Sequence, residues 1–223
     1  MKRRSVLLLL PLVSAAGCGS PGSAEPLPSI SAVPDLGWPA RSADLTSGFC
    51  FTLVRGIKPY ALIERLGGDE LERVEWHRVI GPGDGEAGAR SRFFIAIGRV
   101  EDWSVIVEDN GSLGVTQEIV EPLSADGGEV VAYRGGGGRS GRLMVFRDGD
   151  LALDLDTSAP DRPSGSSPDE FRSDLLAAGL SGSTATAEPT AAALTFLAAR
   201  TGVVLTAEQV EKMTYLLVTV PQV

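Results

Sequence analysis

Four carboxyl side chains lie close together in the middle of the sequence, as two neighbouring pairs. Glu101 and Asp102 form the first pair, and Glu108 and Asp109 form the second. Two facing carboxylates can act as general acid and as base or nucleophile when a glycosidic bond is hydrolysed. Both pairs flank predicted turns, however, where acidic residues are common for conformational reasons. We therefore predict no catalytic residue and no enzyme activity, and keep a cell-envelope hydrolase that uses paired carboxylates as the alternative function.

A second group of acids follows later in the chain. Asp148 precedes Asp150, Asp154 and Asp156. On a β-strand the last three would share one face, while the intervening leucines would share the other. Carboxylate oxygens suit calcium, but the spacing is not that of a dedicated calcium loop. We predict no metal site, and interpret these aspartates as a solvated strand face and a candidate interaction surface.

The single histidine limits the chemistry that this chain can perform. His77 is the only residue of its type, so histidine base catalysis or a histidine-rich metal site would depend on it alone. Trp76 lies beside it, with charged residues on both sides, and is the tryptophan that we expect at the surface. We add Trp76 and His77 to the candidate interaction surface formed by Asp150, Asp154 and Asp156.

Two other motifs favour structure over chemistry. The glycine-rich stretch 135–138 lies between Arg134 and Arg139, but a phosphate-binding loop would need a following lysine and then a helix. A strand follows here, which predicts a hairpin loop and no cofactor. Cys50 lies in an apolar run, which is typical of a buried, inert thiol.

The composition is that of one acidic globular domain behind an N-terminal leader. The chain has 223 residues, of which 43% are hydrophobic, and a formal net charge of −9. This balance argues against binding to nucleic acid, which needs clustered lysine and arginine, and against adhesion of the domain to anionic lipid. An acidic surface would instead suit a basic protein partner through complementary charge.

The N-terminus has the features of an export signal. Lys2, Arg3 and Arg4 precede an apolar stretch at 6–13, and small residues lead to Cys18. The segment resembles the lipobox of bacterial lipoproteins. That resemblance implies that Cys18 receives a thioether-linked lipid, becomes the mature N-terminus and carries further acyl chains such as palmitate. The protein would then be anchored in the cell membrane on its extracytoplasmic face.

Composition also predicts the domain boundaries. Residues 1–17 form the predicted signal peptide. Residues 18–37, rich in Gly, Ser and Pro, lack the apolar periodicity needed to fold and are typical of a flexible tether. Residues 38–223 form the predicted single globular domain.

Hydrophobic periodicity divides this domain into strands followed by helices. Apolar runs and turn signals predict strands at 49–55, 92–99, 103–108, 129–134, 142–147 and 151–155. Asp148-Gly149 predicts a tight turn between the strands at 142–147 and 151–155. Stop and capping signals predict a short helix at 60–66 and later helices that begin near 168, 189 and 206, with a capping box at Ser167 and a cap at Thr206. A closing strand is predicted at 215–220. Strands first and helices later favour an α+β fold, with an antiparallel sheet built from hairpins, helices packed on one face and a helical C-terminal part.

Several segments together carry a family pattern, in the order 50–56, 62–67, 103–111, 123–124, 133–134, 148–149, 189–194 and 201–206. Over roughly 38–221 the chain resembles an uncharacterised bacterial family known only as a domain of unknown function, family 6461. The resemblance implies no activity, substrate, cofactor or catalytic residue.

Overall fold

Eight strands form one antiparallel sheet in the computed structural model, which describes residues 33–79, 92–182 and 186–222. In chain order the strands are β1 (Phe49–Arg55), β2 (Asp69–Glu75), β3 (Arg92–Val100), β4 (Trp103–Asp109), β5 (Glu129–Gly135), β6 (Arg142–Arg147), β7 (Asp150–Asp156) and β8 (Thr214–Pro221). Across the sheet their order is β2-β8-β3-β4-β1-β5-β6-β7. The first and last strands in that order are therefore the edges of the described sheet.

The composition of each strand matches its place in this order. In β1 and β4, at the centre, every residue except the last is buried, which explains their nearly continuous apolar sequences. In the edge strand β2 only Val74 is buried, and its other residues are exposed. Charged side chains on an edge strand discourage pairing with other chains, so the charged sequences of β2 and β7 suit their places at the two edges.

Helices cover both faces of the sheet. Within the described residues the α-helices are α1 (Trp38–Arg41), α2 (Pro59–Arg65), α3 (Trp76–Val79), α4 (Gln117–Val120), α5 (Arg172–Ala178), α6 (Pro189–Thr201) and α7 (Ala207–Lys212). The first face packs against α1, α3, α5, α6 and α7, and the second face packs against α2, α4 and the 3-10 turns that flank α4.

The expected arrangement of helices and strands was wrong in two respects, although the class remains α+β. Helices do not pack on one face only, because both faces of the central strands are apolar and both must be buried. The C-terminal part is not plainly helical, since it ends in β8, which lies between β2 and β3. Tyr215 enters the first core and Leu216 enters the second, so this strand needs cover on both sides.

Local signals at the element ends had mixed outcomes. The Thr206 side chain caps α7 by accepting a hydrogen bond from the Gln209 amide at 3.1 Å, which confirms that predicted cap. Ser167 makes no such bond, and a 3-10 turn at Pro168–Phe171 precedes α5, so the capping box predicted there was wrong. Gly149 completes the tight turn between β6 and β7 with a φ of +80°, as the sequence predicted.

The sheet and its helices belong to one compact unit that begins at Pro34. Trp38 joins its N-terminal end to the core, because its Nε1 donates a hydrogen bond to the Leu205 carbonyl at 2.8 Å. The predicted signal peptide and most of the predicted tether lie outside the described residues. None of the helices in the described ranges is long and apolar enough to cross a membrane.

Candidate functional site

An open groove of about 360 Å³ lies on the second face of the sheet, beside the first turn of α2. We call it the basic groove. It is lined by residues from the start of α2 and from β2, β3 and β8: Lys58, Pro59, Tyr60, Arg73, Ile97, Gly98, Arg99, Thr214 and Leu216.

Sheet register and a helix start bring these residues together. Arg73 of β2 pairs with Leu216 of β8, which in turn pairs with Ile97 of β3, so the three side chains form a row across the sheet. Lys58 is the N-cap residue of α2, and Pro59 occupies the first turn, where its fixed φ favours the helix and its missing amide hydrogen costs nothing. The start of the helix therefore lies against the row.

The groove is positively charged. Arg73 Nη2 donates a hydrogen bond to the Tyr60 hydroxyl, and Arg99 Nη1 donates one to the Ile57 carbonyl at 3.1 Å. Each guanidinium has five N–H donors, so each keeps donors for a ligand. Lys58 is exposed and forms no salt bridge within the described residues.

The nearby acids offset only part of this charge. Asp102 is almost fully exposed and lies 3.7 Å from Arg99 Nη2, a separation typical of a weak surface pair. None of the residues that line the groove is a carboxylate. Three cations therefore face one concavity in a chain whose net charge is −9.

The groove is suited to binding. The side chains that line it include the hydroxyls of Tyr60 and Thr214 but no histidine, cysteine or acid that would serve as a nucleophile or general base. Its arginines are suited to carboxylate or phosphate oxygens, which they can hold through two parallel hydrogen bonds. In the described part of the chain, no group of three or more His, Cys, Asp or Glu side chains could hold a metal ion.

The expectation that Trp76 lies at the surface was wrong. Its side chain is 8% exposed and belongs to the first core. Its ring lies 6.0 Å from that of Trp38, edge to face, and 6.1 Å from that of Tyr215. His77 is exposed, and its Nδ1 lies 3.7 Å from a Glu75 carboxylate oxygen.

The aspartates of β7 do not share one face. A bulge places Leu151 opposite Phe146 and Leu153 opposite Val145, so that Ala152 is the extra residue. The bulge shifts the alternation by one position, and Asp150 therefore points to the opposite face from Asp154 and Asp156. Leu151 accordingly packs against the second core, whereas Leu153 and Leu155 belong to the first.

Two of these aspartates are already engaged. Arg142 binds Asp154 through two parallel hydrogen bonds, from Nε at 2.9 Å and from Nη2 at 2.8 Å. Asp156 accepts hydrogen bonds from the hydroxyl of Ser158 at 2.6 Å and from its amide at 2.8 Å. These bonds, the hydroxyl first, hold the pKa of Asp156 below its ordinary value.

The five residues of the predicted interaction surface are not brought together. Trp76 and His77 directly follow β2, at one edge of the described sheet, whereas the three aspartates lie on β7 at the other edge. A single binding surface built from all five is therefore wrong.

The four carboxylates considered for hydrolysis are also kept apart. Glu101 and Asp102 lie on the exposed turn between β3 and β4. Glu108 is buried and accepts hydrogen bonds from the amides of Leu113, at 2.8 Å, and Gly114, at 3.0 Å. Asp109 is the next residue of β4 and therefore points to the opposite face of the sheet from Glu108.

Cys50 and the glycine-rich stretch have structural roles in this fold. Burial, and then the nearby Glu108 carboxylate, raise the pKa of the Cys50 thiol well above its ordinary value, as expected for an inert cysteine. Gly136, Gly137 and Gly138 all have positive φ and form the turn between β5 and β6. That turn is the hairpin loop predicted from sequence.

Sequence reasoning missed the basic groove because its residues carry no local motif. Lys58, Arg73 and Arg99 are separated by 15 and 26 positions and belong to three different elements. Each of the three lies at a helix start or towards the end of a strand, where charged residues are common, so none of them stands out in the sequence. Their meeting depends on β8, which separates β2 from β3 in the sheet.

Comparison with known proteins identifies the family. A family model matches residues 30–223 of the 223-residue chain. The chain belongs to DUF6461, a family of unknown function. The matched DUF6461 region contains every residue of the basic groove, while Cys18 precedes it. No curated protein and no solved structure matches this DUF6461 chain.

Proposed function

We propose that this protein is a membrane-tethered, non-enzymatic binding module that takes an anionic ligand in the basic groove. The observation that carries the proposal is the convergence of Lys58, Arg73 and Arg99 on one concavity that no carboxylate lines. In an acidic chain, such a concentration of positive charge attracts anions locally, against the field of the rest of the molecule.

The arginines are partly oriented before a ligand arrives. Arg73 is held by the Tyr60 hydroxyl, and Arg99 is held by the Ile57 carbonyl. Side chains that are already ordered lose less conformational freedom on binding, which leaves more of the interaction free energy for affinity. A charge-assisted pair from either guanidinium would then also fix the orientation of the ligand.

The tether in this proposal comes from the sequence. The lipobox-like segment before Cys18 supports lipid attachment at that residue and a position on the extracytoplasmic face of the cell membrane. At least two acyl chains are needed for stable anchoring, which the diacylglyceryl group of bacterial lipoproteins provides.

Two other functions have weaker support. A hydrolase would need two carboxylates facing one cavity, whereas Glu101 and Asp102 lie on an exposed turn and Glu108 is buried. A basic protein partner for the β7 aspartates stays a prediction. Its support is reduced because Arg142 already neutralises Asp154.

The test is an isothermal titration calorimetry experiment in which phenyl phosphate or benzoate is titrated into the detergent-solubilised protein. We expect saturable binding of the anion. Its affinity should fall roughly tenfold in Arg73→Gln and in Lys58→Gln, because each variant loses one charge-assisted contact. Arg65→Gln is the matched control, because Arg65 is an exposed cation at the other end of α2 and does not line the groove. Equal affinity in all variants, or no binding of either anion, would refute the proposal.

A further inference from the structure

We infer that the ligand of the basic groove is a small organic anion with an apolar body, and that inorganic anions are poor substitutes for it. This inference rests on the proposed function and specifies the chemical class of the ligand. It follows from how the charged and apolar parts of the groove are arranged.

The size of the groove exceeds what an inorganic ion can fill. A water molecule occupies about 30 Å³ of liquid, and phosphate is only a few times larger. A groove of about 360 Å³ is at the lower end of the range for sites that bind small organic molecules. An inorganic ion bound by the cations would therefore leave most of the groove filled with water.

The surface that this water would cover is largely apolar. Tyr60, which is 51% exposed, and the half-buried Pro59 present apolar surface to the groove, whereas Ile97 and Leu216 form a floor that is only 1% and 7% exposed. Replacing water over apolar surface with hydrocarbon is favourable in proportion to the area covered. An aliphatic chain or an aromatic ring attached to the anionic head would gain this contribution.

The charges set the head group. Lys58, Arg73 and Arg99 supply three positive charges, and two exposed acids offset part of them, Asp102 beside Arg99 and Glu70 near Arg73. That balance suits a head with one or two negative charges. Both a carboxylate and a phosphate monoester fit this description and match the planar fork of arginine.

Tyr60 has two separable roles in this arrangement. Its hydroxyl accepts the hydrogen bond from Arg73 and makes it a positioning residue for the head-binding guanidinium. Its ring is part of the surface on which the apolar body would lie. Tyr60→Phe removes the first role and keeps the second, whereas Tyr60→Ala removes both.

The experiment is a calorimetric titration of the full detergent-solubilised chain with acetate, butanoate and hexanoate, and with inorganic phosphate and phenyl phosphate. We expect affinity to rise by up to about fourfold for each methylene that the groove buries, and phenyl phosphate to bind more tightly than phosphate. Whichever series binds more tightly identifies the head group. Hexylamine has the same chain with the opposite charge and should not bind.

The variants distinguish the two parts of the ligand. Tyr60→Phe should weaken all the anions by one common factor and leave the gain per methylene unchanged, whereas Tyr60→Ala should also reduce that gain. If phosphate binds as tightly as phenyl phosphate and acetate as tightly as hexanoate, this inference is wrong while anion binding stands. If none of these anions binds, the proposed function fails as well.

Discussion

Arg200 Nε lies 2.5 Å from Glu129 Oε1 and joins the last turn of α6 to the first residue of β5. Glu129 is only 6% exposed, and Arg55 approaches its other oxygen at 3.8 Å. Arg200 also lies over the ring of Phe171, with its Cζ 5.4 Å from the ring centroid. A buried carboxylate is thus held between two arginines at the point where the longest described helix meets the sheet.

Removing the charge of Glu129 should destabilise this junction. We expect Glu129→Gln to lower the free energy of unfolding by roughly 1–3 kcal/mol, because a charge-assisted bond is lost and Arg200 is left only partly hydrated. Urea denaturation measures the change. Glu170→Gln is the control, since Glu170 pairs with Arg147 at the surface and should cost at most about 1 kcal/mol. Equal losses in the two variants would contradict this interpretation of Glu129.

Gly114 should tolerate no side chain. A Cβ atom at this position would lie 1.8 Å from Thr52 Oγ1 and 2.8 Å from Cys50 Sγ, both of which are buried. We expect Gly114→Ala to lower the free energy of unfolding by roughly 1–3 kcal/mol or more through overpacking. Adding Thr52→Ala should recover part of the loss in a double-mutant cycle, because it removes the closest clash. Wild-type stability of Gly114→Ala alone would rule out this close approach.

The domain should lose stability in alkaline solution. Burial raises the pKa of the Cys50 thiol and of the phenols of Tyr133 and Tyr215 in the folded chain. Once unfolded, the thiol loses its proton near pH 9.0 and the phenols near 10.0. Above these pH values the unfolded state binds fewer protons than the folded state, and the equilibrium shifts towards unfolding. The contribution of the three buried groups to the free energy of unfolding is therefore fully present below about pH 8. It is lost as the pH rises, by up to roughly 1.4 kcal/mol per pH unit for each group.

The contribution of Cys50 to this loss is measurable separately. Urea denaturation of the wild type and of Cys50→Ala between pH 7.5 and pH 10.5 should give a shallower pH dependence in the variant, whatever its stability at neutral pH. Curves that run parallel for the wild type and Cys50→Ala would show that the thiol does not contribute.

Cys18 should carry the lipid. We expect intact-mass spectrometry of the membrane fraction to show a lipid-sized addition on the mature chain that begins at Cys18. Cys18→Ala should be found either released in soluble form or retained with its leader uncleaved. An unmodified wild-type chain in the soluble fraction would exclude the anchor and with it the membrane-tethered part of the proposed function.

Local sequence predicted seven of the eight described strands but missed β2, and it was a poor guide to how the elements are arranged. The turn at Asp148-Gly149 and the cap at Thr206 depend on a few neighbouring residues and were predicted. The burial of Trp76 was missed because it depends on Trp38 and Tyr215, which are far away along the chain. The bulge at Ala152 was also missed, since a difference of one residue in pairing leaves little trace in the pattern of a single strand.

The same distinction applies to function. By itself the sequence determined the α+β class, the acidic balance, the inert environment of Cys50 and the lipobox-like segment before Cys18, because each depends on composition or on a short run of neighbours. Only the tertiary structure decided that helices cover both faces, that β8 lies between β2 and β3, and that Lys58, Arg73 and Arg99 meet in one groove. These outcomes depend on pairing between segments that are distant in the sequence. Many arrangements satisfy the same local patterns, and the need to bury both faces of the sheet selects one of them.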